Sequence, residues 1–255
     1  MWALFWTALK KEWAIMRSYG LNFFMQFVTL ILVFVFLYFG LGYVGGGPKV
    51  SQTQEGLMVG YWLWVGIIMS LSNFSWNVMQ YAQQGLLEQL YMTPWRLRGI
   101  LAVEAAASFV IYFLSNLGLL LFFMLITGRW LRLEPVTTFL LYVATLLPGY
   151  GLGYLLAGLA MRYKNIAQLF NVLQFVMAGL LTLPVDRYPW LNVLPFAQGV
   201  RMLITHVRHG TLAWQFPWPA WAVLVGQTLV YFALGLTLYG RLENAARERG
   251  LLAHY

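Results

Sequence analysis

Long apolar runs dominate this chain, and its polar residues gather in short segments between them. Six runs reach roughly the 20 residues that a bilayer crossing needs: 21–43, 57–80, 99–127, 137–161, 165–184 and 219–240. They are too long and too uniformly apolar for half-buried strands, and their spacing does not resemble barrel hairpins. The pattern predicts an all-α, polytopic membrane protein with six transmembrane helices, residues 1–255 forming a single transmembrane domain. The run 99–127 exceeds one bilayer thickness and predicts a helix that tilts or extends into water.

Finer periodicities lie within and before these runs. In residues 2–18, Trp2, Phe5, Trp6, Leu9, Trp13 and Met16 recur at steps of three and four, with Thr7, Lys10, Lys11 and Ser18 on the other side. A Trp-rich apolar face backed by basic residues lies in the headgroup plane, so 1–20 is expected to be an interfacial helix. It either anchors the first span alone or also touches a cytoplasmic partner. Its basic residues follow its first apolar ones and no small-residue cleavage site is apparent, so it does not read as a cleavable signal.

In the second run, Ser70, Asn73, Asn77, Gln80 and Gln84 form one stripe along a helix face. In the fifth, Asn165, Gln168, Asn171 and Gln174 form a stripe that winds. Polar side chains in lipid avoid the acyl chains, so these either bond neighbouring helices or line a path. The candidate path residues are Ser70, Asn73, Asn77, Gln80, Gln168 and Asn171.

Pro148 is expected to kink the fourth span, and Gly149 and Gly153 to permit close helix approach. Residues 185–218 form the longest outer segment. It is apolar, rich in Trp and punctuated by Pro, and it predicts one or two short helices re-entering the outer leaflet.

Composition agrees with the pattern. The chain is 61% hydrophobic and 9% charged, against about 25% charged in soluble domains. It has no cysteine, which excludes disulfides and thiolate metal sites. A net charge of +8 without a long basic patch points to membrane orientation and anionic lipid, not to nucleic acid. Ten of the sixteen Lys and Arg fall in 1–20, 81–98, 162–164 and 241–255, and the other six in 44–56, 128–136 and 185–218, two sets of equal length. The excess predicts that both termini are cytoplasmic in a cell membrane.

Chemical motifs are sparse. Glu104, just inside the third span, is either an interfacial, solvated carboxylate or a functional residue. His206 and His209 stand one turn apart without a third metal ligand. There is no phosphate-binding GxxxxGK[ST] loop, HExxH or GxSxG, and no paired acids for a proton relay. No catalytic, cofactor or metal residues are assigned, and the chain is not expected to be an enzyme.

The segment 83–94, between the second and third spans, reads as a short cytoplasmic helix. Gly85 interrupts the preceding helix, Leu86, Leu87, Leu90 and Tyr91 supply apolar contact, Glu88 an exposed charge, and Thr93-Pro94 turns the chain. The string Gly85-Leu86-Leu87-Glu88-Gln89-Leu90, followed by Thr93-Pro94, resembles the signature of type-2 ABC exporter permeases, drug-exporter-like branch. Gln83 and Gln84 stand where acids are common, and Leu86 where Thr is common. Gly179, Pro184, Pro189-Trp190-Leu191, Pro195 and Arg201 resemble that family's later pattern, with Ala178-Gly179 and Leu194-Pro195 departing from its usual pairs.

The resemblance implies a permease subunit that pairs with a second permease, identical or related, above two separate ATPase subunits. ATP and Mg would sit on those partners, with no cofactor in this chain. Gly85, Leu86, Leu87, Glu88, Leu90, Tyr91 and Pro94 would couple to the ATPase groove. The substrate would be amphipathic or hydrophobic, drug- or lipid-like. Alternatives are export of polysaccharide or small ions, an intramembrane lipid-modifying enzyme, and a membrane scaffold.

Overall fold

The computed structural model describes residues 2–44, 50–163, 166–181 and 189–248. In chain order the helices are α1 (Trp2–Ser18), α2 (Gly20–Val44), α3 (Val50–Gln83), α4 (Leu87–Tyr91), α5 (Arg96–Thr127), α6 (Pro135–Tyr163), α7 (Ala167–Leu181), α8 (Ala197–His209) and α9 (Trp218–Glu248). Short 3-10 turns at Pro189–Val193 and Ala213–Gln215 flank α8. Among the described residues there is no strand.

Among the described residues, five helices are long and apolar enough to cross a membrane: Gly20–Gly40, Gln54–Gln83, Leu97–Thr127, Pro135–Tyr163 and Trp218–Ala245. The fifth predicted span, 165–184, contains α7, which is apolar but has 15 residues. At 1.5 Å per residue that is about 22 Å, short of the hydrocarbon thickness of about 30 Å. The flanking positions 165 and 182–184 lie outside the described residues, as does the Gly-rich turn at 45–49. The structure is therefore a multi-pass helical bundle with five long apolar helices.

Most of α3 and over half of α6 are buried within the protein, whereas few residues of α2 and α9 are fully buried. Small residues make α6 the centre. Its Gly149 and Gly153 face α3: a Cβ on Gly153 would stand 3.1 Å from the Ser70 carbonyl, and one on Gly149 would collide with Ser70 Oγ. Its Gly151 faces α9, where a Cβ would lie 2.8 Å from the Phe232 nitrogen. The helix runs on through Pro148, so this proline does not interrupt it. In lipid, where apolar burial gives little drive, such close approach and internal hydrogen bonds hold helices together. One bonded set joins three of them. Trp62 Nε1 donates to the Asn116 carbonyl at 3.0 Å, and Asn116 Nδ2 donates to the Trp62 carbonyl at 3.1 Å and to the Tyr142 hydroxyl at 2.7 Å.

The segment around α8 begins at mid-height of the bundle. Phe196 packs against Gly149, halfway along α6, and the Tyr231 hydroxyl donates to the Val193 carbonyl at 3.2 Å, well inside α9. From there α8 climbs until His206 meets Thr138, one turn from the start of α6. Phe196 holds a left-handed backbone, φ 72°, with its side chain fully buried. That conformation is costly for a bulky residue and is held here by packing on all sides. The segment expected to re-enter the outer leaflet thus holds, among its described residues, one α-helix between two 3-10 turns.

Candidate functional site

The end of α3 is closed by a glycine. Gly85 has φ +68°, its N–H donates to the Ala82 carbonyl at 3.1 Å, and the Leu86 N–H donates to the Tyr81 carbonyl at 2.9 Å. This is the paired bond pattern that ends a helix in a left-handed residue. The chain is thereby redirected into α4. Leu87 is buried, Leu86, Leu90 and Tyr91 pack partly buried against the core, and Tyr91 reaches Met161 Sδ at 3.5 Å near the end of α6. Thr93 Oγ1 donates to the Leu90 carbonyl at 2.6 Å and closes the turn, leaving Pro94 exposed. Met92 and Trp95 point outward, Met92 at 88% exposure. The Glu88 side chain lies outside the described residues.

Two charged clamps fix the surroundings of this turn. Arg98, at the start of α5, donates through Nε (2.8 Å) and Nη2 (2.6 Å) to Glu243 Oε2 near the end of α9. Six residues further along α5, Glu104 is 7% exposed. It is not solvated: Lys11 of α1 lies 2.7 Å from its Oε1, the Tyr81 hydroxyl donates to the same oxygen, and Asn77 Nδ2 lies 3.3 Å from Oε2. Lys11 Nζ also lies 2.8 Å from the Tyr81 hydroxyl. The sequence leaves Glu104 at a membrane boundary, but it does not reveal that α1 folds over it. Beside this group, the Ser108 hydroxyl donates to Glu12 Oε1 at 2.9 Å. Burial holds the Glu12 carboxyl above its usual range, with Glu104 adding to that rise and the Ser108 bond and Lys11 opposing it.

Beyond the clamp lies a cleft of about 390 Å³ between α1, α2, α3 and α5. Asn73, Asn77 and Gln80 line it, together with Lys11, Glu12 and Trp76. These three members of the predicted stripe are brought together. Ser70 is not among them: it is buried against α6 and donates to its own helix, to the Ile67 carbonyl, at 2.8 Å. Gln168 and Asn171 sit exposed on α7, bonded to each other at 3.1 Å. α7 does pack on α3, but through other groups. Trp64 Nε1 donates to the Gln174 carbonyl at 2.9 Å, and Trp76 stacks on Phe170. Glu12 was not singled out from the sequence, since its place over the cleft depends on how α1 docks.

At the far end, His206 is buried. Its Nδ1 lies 2.8 Å from the Thr211 carbonyl and its Nε2 3.0 Å from Thr138 Oγ1. A carbonyl only accepts, so Nδ1 carries a proton and donates to Thr211. Both ring nitrogens are thus occupied, Nδ1 by the turn that follows α8 and Nε2 by Thr138 of α6. Among the described residues no group of three or more metal-ligating side chains occurs. No known family model matches the chain, and no curated protein is significantly similar to it.

Proposed function

We propose that this chain is the permease subunit of an ATP-driven exporter of the type-2 ABC class, moving an amphipathic or hydrophobic, drug- or lipid-like substrate across a cell membrane. ATP, with Mg, is bound and hydrolysed by two copies of a separate ATPase, and the permease works beside a second permease subunit. Both termini and α4 lie on the cytoplasmic side.

The observation that carries this reading is the construction of α4. A five-residue helix has no stability of its own in water. Here Gly85, Leu87 and Thr93 fix it rigidly, while Met92 and Trp95 remain exposed on its far side. A loop that merely joined two spans would need none of this. The residues that fix it belong to the Gly85–Pro94 string that resembles the exporter signature. The two charged clamps tie α4's surroundings to α1, α3, α5 and α9, so a push on α4 reaches several spans together.

The test is a pull-down of the detergent-solubilised chain from its native membrane, beside the chain lacking 85–94. An ATPase subunit is expected with the intact chain and not with the deletion. An ATPase with neither chain sinks the proposal. A scaffold is the second reading, and the self-bonded, buried Ser70 favours packing over a path at that position. Asn73→Leu and Asn77→Leu separate the two: an altered substrate range supports export, and altered stability alone supports the scaffold.

A further inference from the structure

The cleft beside α1 has an unbalanced inventory of charge and hydrogen bonding. Lys11 is matched by Glu104, which leaves Glu12 as the surplus charge facing the cavity. Glu12 Oε1 is taken by Ser108, and its second oxygen has no partner among the described residues. Asn73, 8% exposed on the cleft wall, has a buried Oδ1 that accepts nothing. Both open positions are acceptors. Asn73 Oδ1 is buried without a donor, which is costly, and Glu12 adds a negative charge, so a fitting occupant of this cleft brings N–H groups and positive charge.

The walls add a second requirement. Phe23, Gln26, Met69 and Tyr112 line this cleft and also a small, almost wholly apolar cavity deeper between α2, α3, α5 and α6. Polarity therefore falls from the α1 end inward, with Trp76 and Tyr112 among the lining residues. We infer that the cleft is a binding site for a long-chain primary amine, with its ammonium between Glu12 and Asn73 and its chain directed past Phe23 and Met69 toward the deeper cavity. The site supplies a substrate class for the proposed exporter and rests on that reading only for its transport role; its occupancy does not require transport.

An amine-headed lipid and a free amphipathic amine share this chemistry. The probe is dodecylamine, measured by quenching of protein fluorescence and by the rise in melting temperature of the full chain in neutral detergent. Dodecanol, dodecyltrimethylammonium and dodecyl sulfate serve as controls. Dodecylamine is expected to stabilise the protein, the trimethyl compound to do so less because it has no N–H to give, and the alcohol and sulfate not at all. Glu12→Gln is expected to weaken amine binding at least about tenfold, the loss of one charge-assisted bond. If that variant does not fold, Asn73→Leu provides the same comparison.

Phosphatidylethanolamine in mixed micelles competes if the native occupant is a lipid, and leaves binding unchanged if it is a free amine. Equal stabilisation by dodecanol, or unchanged amine affinity in both variants, overturns the site. A site that behaves as expected in a chain that captures no ATPase leaves the inference standing while the exporter reading falls.

Discussion

Lys11 and Tyr81, distant in sequence, meet at the Glu104 carboxylate, and this contact decides where α1 sits. Glu104 is nearly buried and Lys11 about one-third exposed, so the pair is neither a surface ion pair nor fully desolvated. Removing the lysine leaves the buried Glu104 charge without a counter-ion, held only by Tyr81 and Asn77, which costs more than the pair itself is worth. Lys11→Met is expected to destabilise the protein by about 1–3 kcal/mol, the range for a buried polar group that loses its partner. The double variant Lys11→Met/Glu104→Gln is expected to recover part of that, because no charge is left behind. Thermal unfolding of both in detergent checks this. A double variant as weak as the single one would mean that the stranded charge is not the cause. Glu104 could be read from the sequence as unusual, but its partner could not. Ninety-three residues separate Lys11 from Glu104, and a periodicity of three and four says only which face of α1 is polar.

Among the elements, α4 unites sequence pattern and geometry most closely. Gly85, the leucines and Thr93-Pro94 announce a helix stop, a short apolar helix and a turn, and those are found at 81–95. Leu87 and Met92 separate anchoring from docking. Leu87→Ala empties a buried position, and buried Leu→Ala changes cost about 2–5 kcal/mol; here the loss is local, so 85–95 is expected to become sensitive to protease while the spans stay folded. Met92→Ala touches nothing buried and is expected to leave stability within about 0.5 kcal/mol. If α4 docks an ATPase, both changes lower ATPase stimulation by the permease, and only Leu87→Ala opens the segment to protease. Stimulation unchanged in Met92→Ala would move the docking surface off this face.

Other elements were less legible. The stripe on α3 was visible as a stripe, yet it divides: Ser70 turns to α6 while Asn73, Asn77 and Gln80 face the cleft. A helix of about 3.6 residues per turn drifts across a face over ten residues, and only the positions of its neighbours decide where packing ends and a cavity begins. Gly149 and Gly153 were legible as a contact pair. The matching contact between Gly151 and Gly235 was not, because one residue of the pair lies in another helix.

Taken as a whole, the bundle poses a counting problem that its contacts answer. Five long helices, counted alone, would leave the two termini on opposite faces. Yet α1 rests on Glu104 and the end of α9 on Arg98, both in the first turns of α5 and about 9 Å apart along it at 1.5 Å per residue. The beginning and end of the described chain therefore meet at one end of the bundle. Between them, α6 finishes at that same end, where Met161 meets Tyr91, while α8 rises to the other end, where His206 meets Thr138. The chain must pass from one end to the other between Tyr163 and His206. α7 and most of α8 are the described helices on that route, with α7 packed against Trp76 and Trp64 of α3. α7, too short to span a bilayer by itself, covers the first part of that passage, and α8 covers the last. The chain contains no cysteine, so any single introduced one is its only thiol. In sealed cells, cysteines at Lys10, Met92 and Arg241, all exposed at the α4 end, are expected to resist an impermeant maleimide until the membrane is opened. Cysteines at Trp130 and Trp214, each 70% exposed at the α8 end, are expected to react at once. Labelling of Lys10 and Arg241 from opposite faces would show that the two clamps do not coexist in the membrane. Reaction of all five with the two ends exchanged would keep the bundle and invert it, placing α4 outside the cell and out of reach of any ATPase.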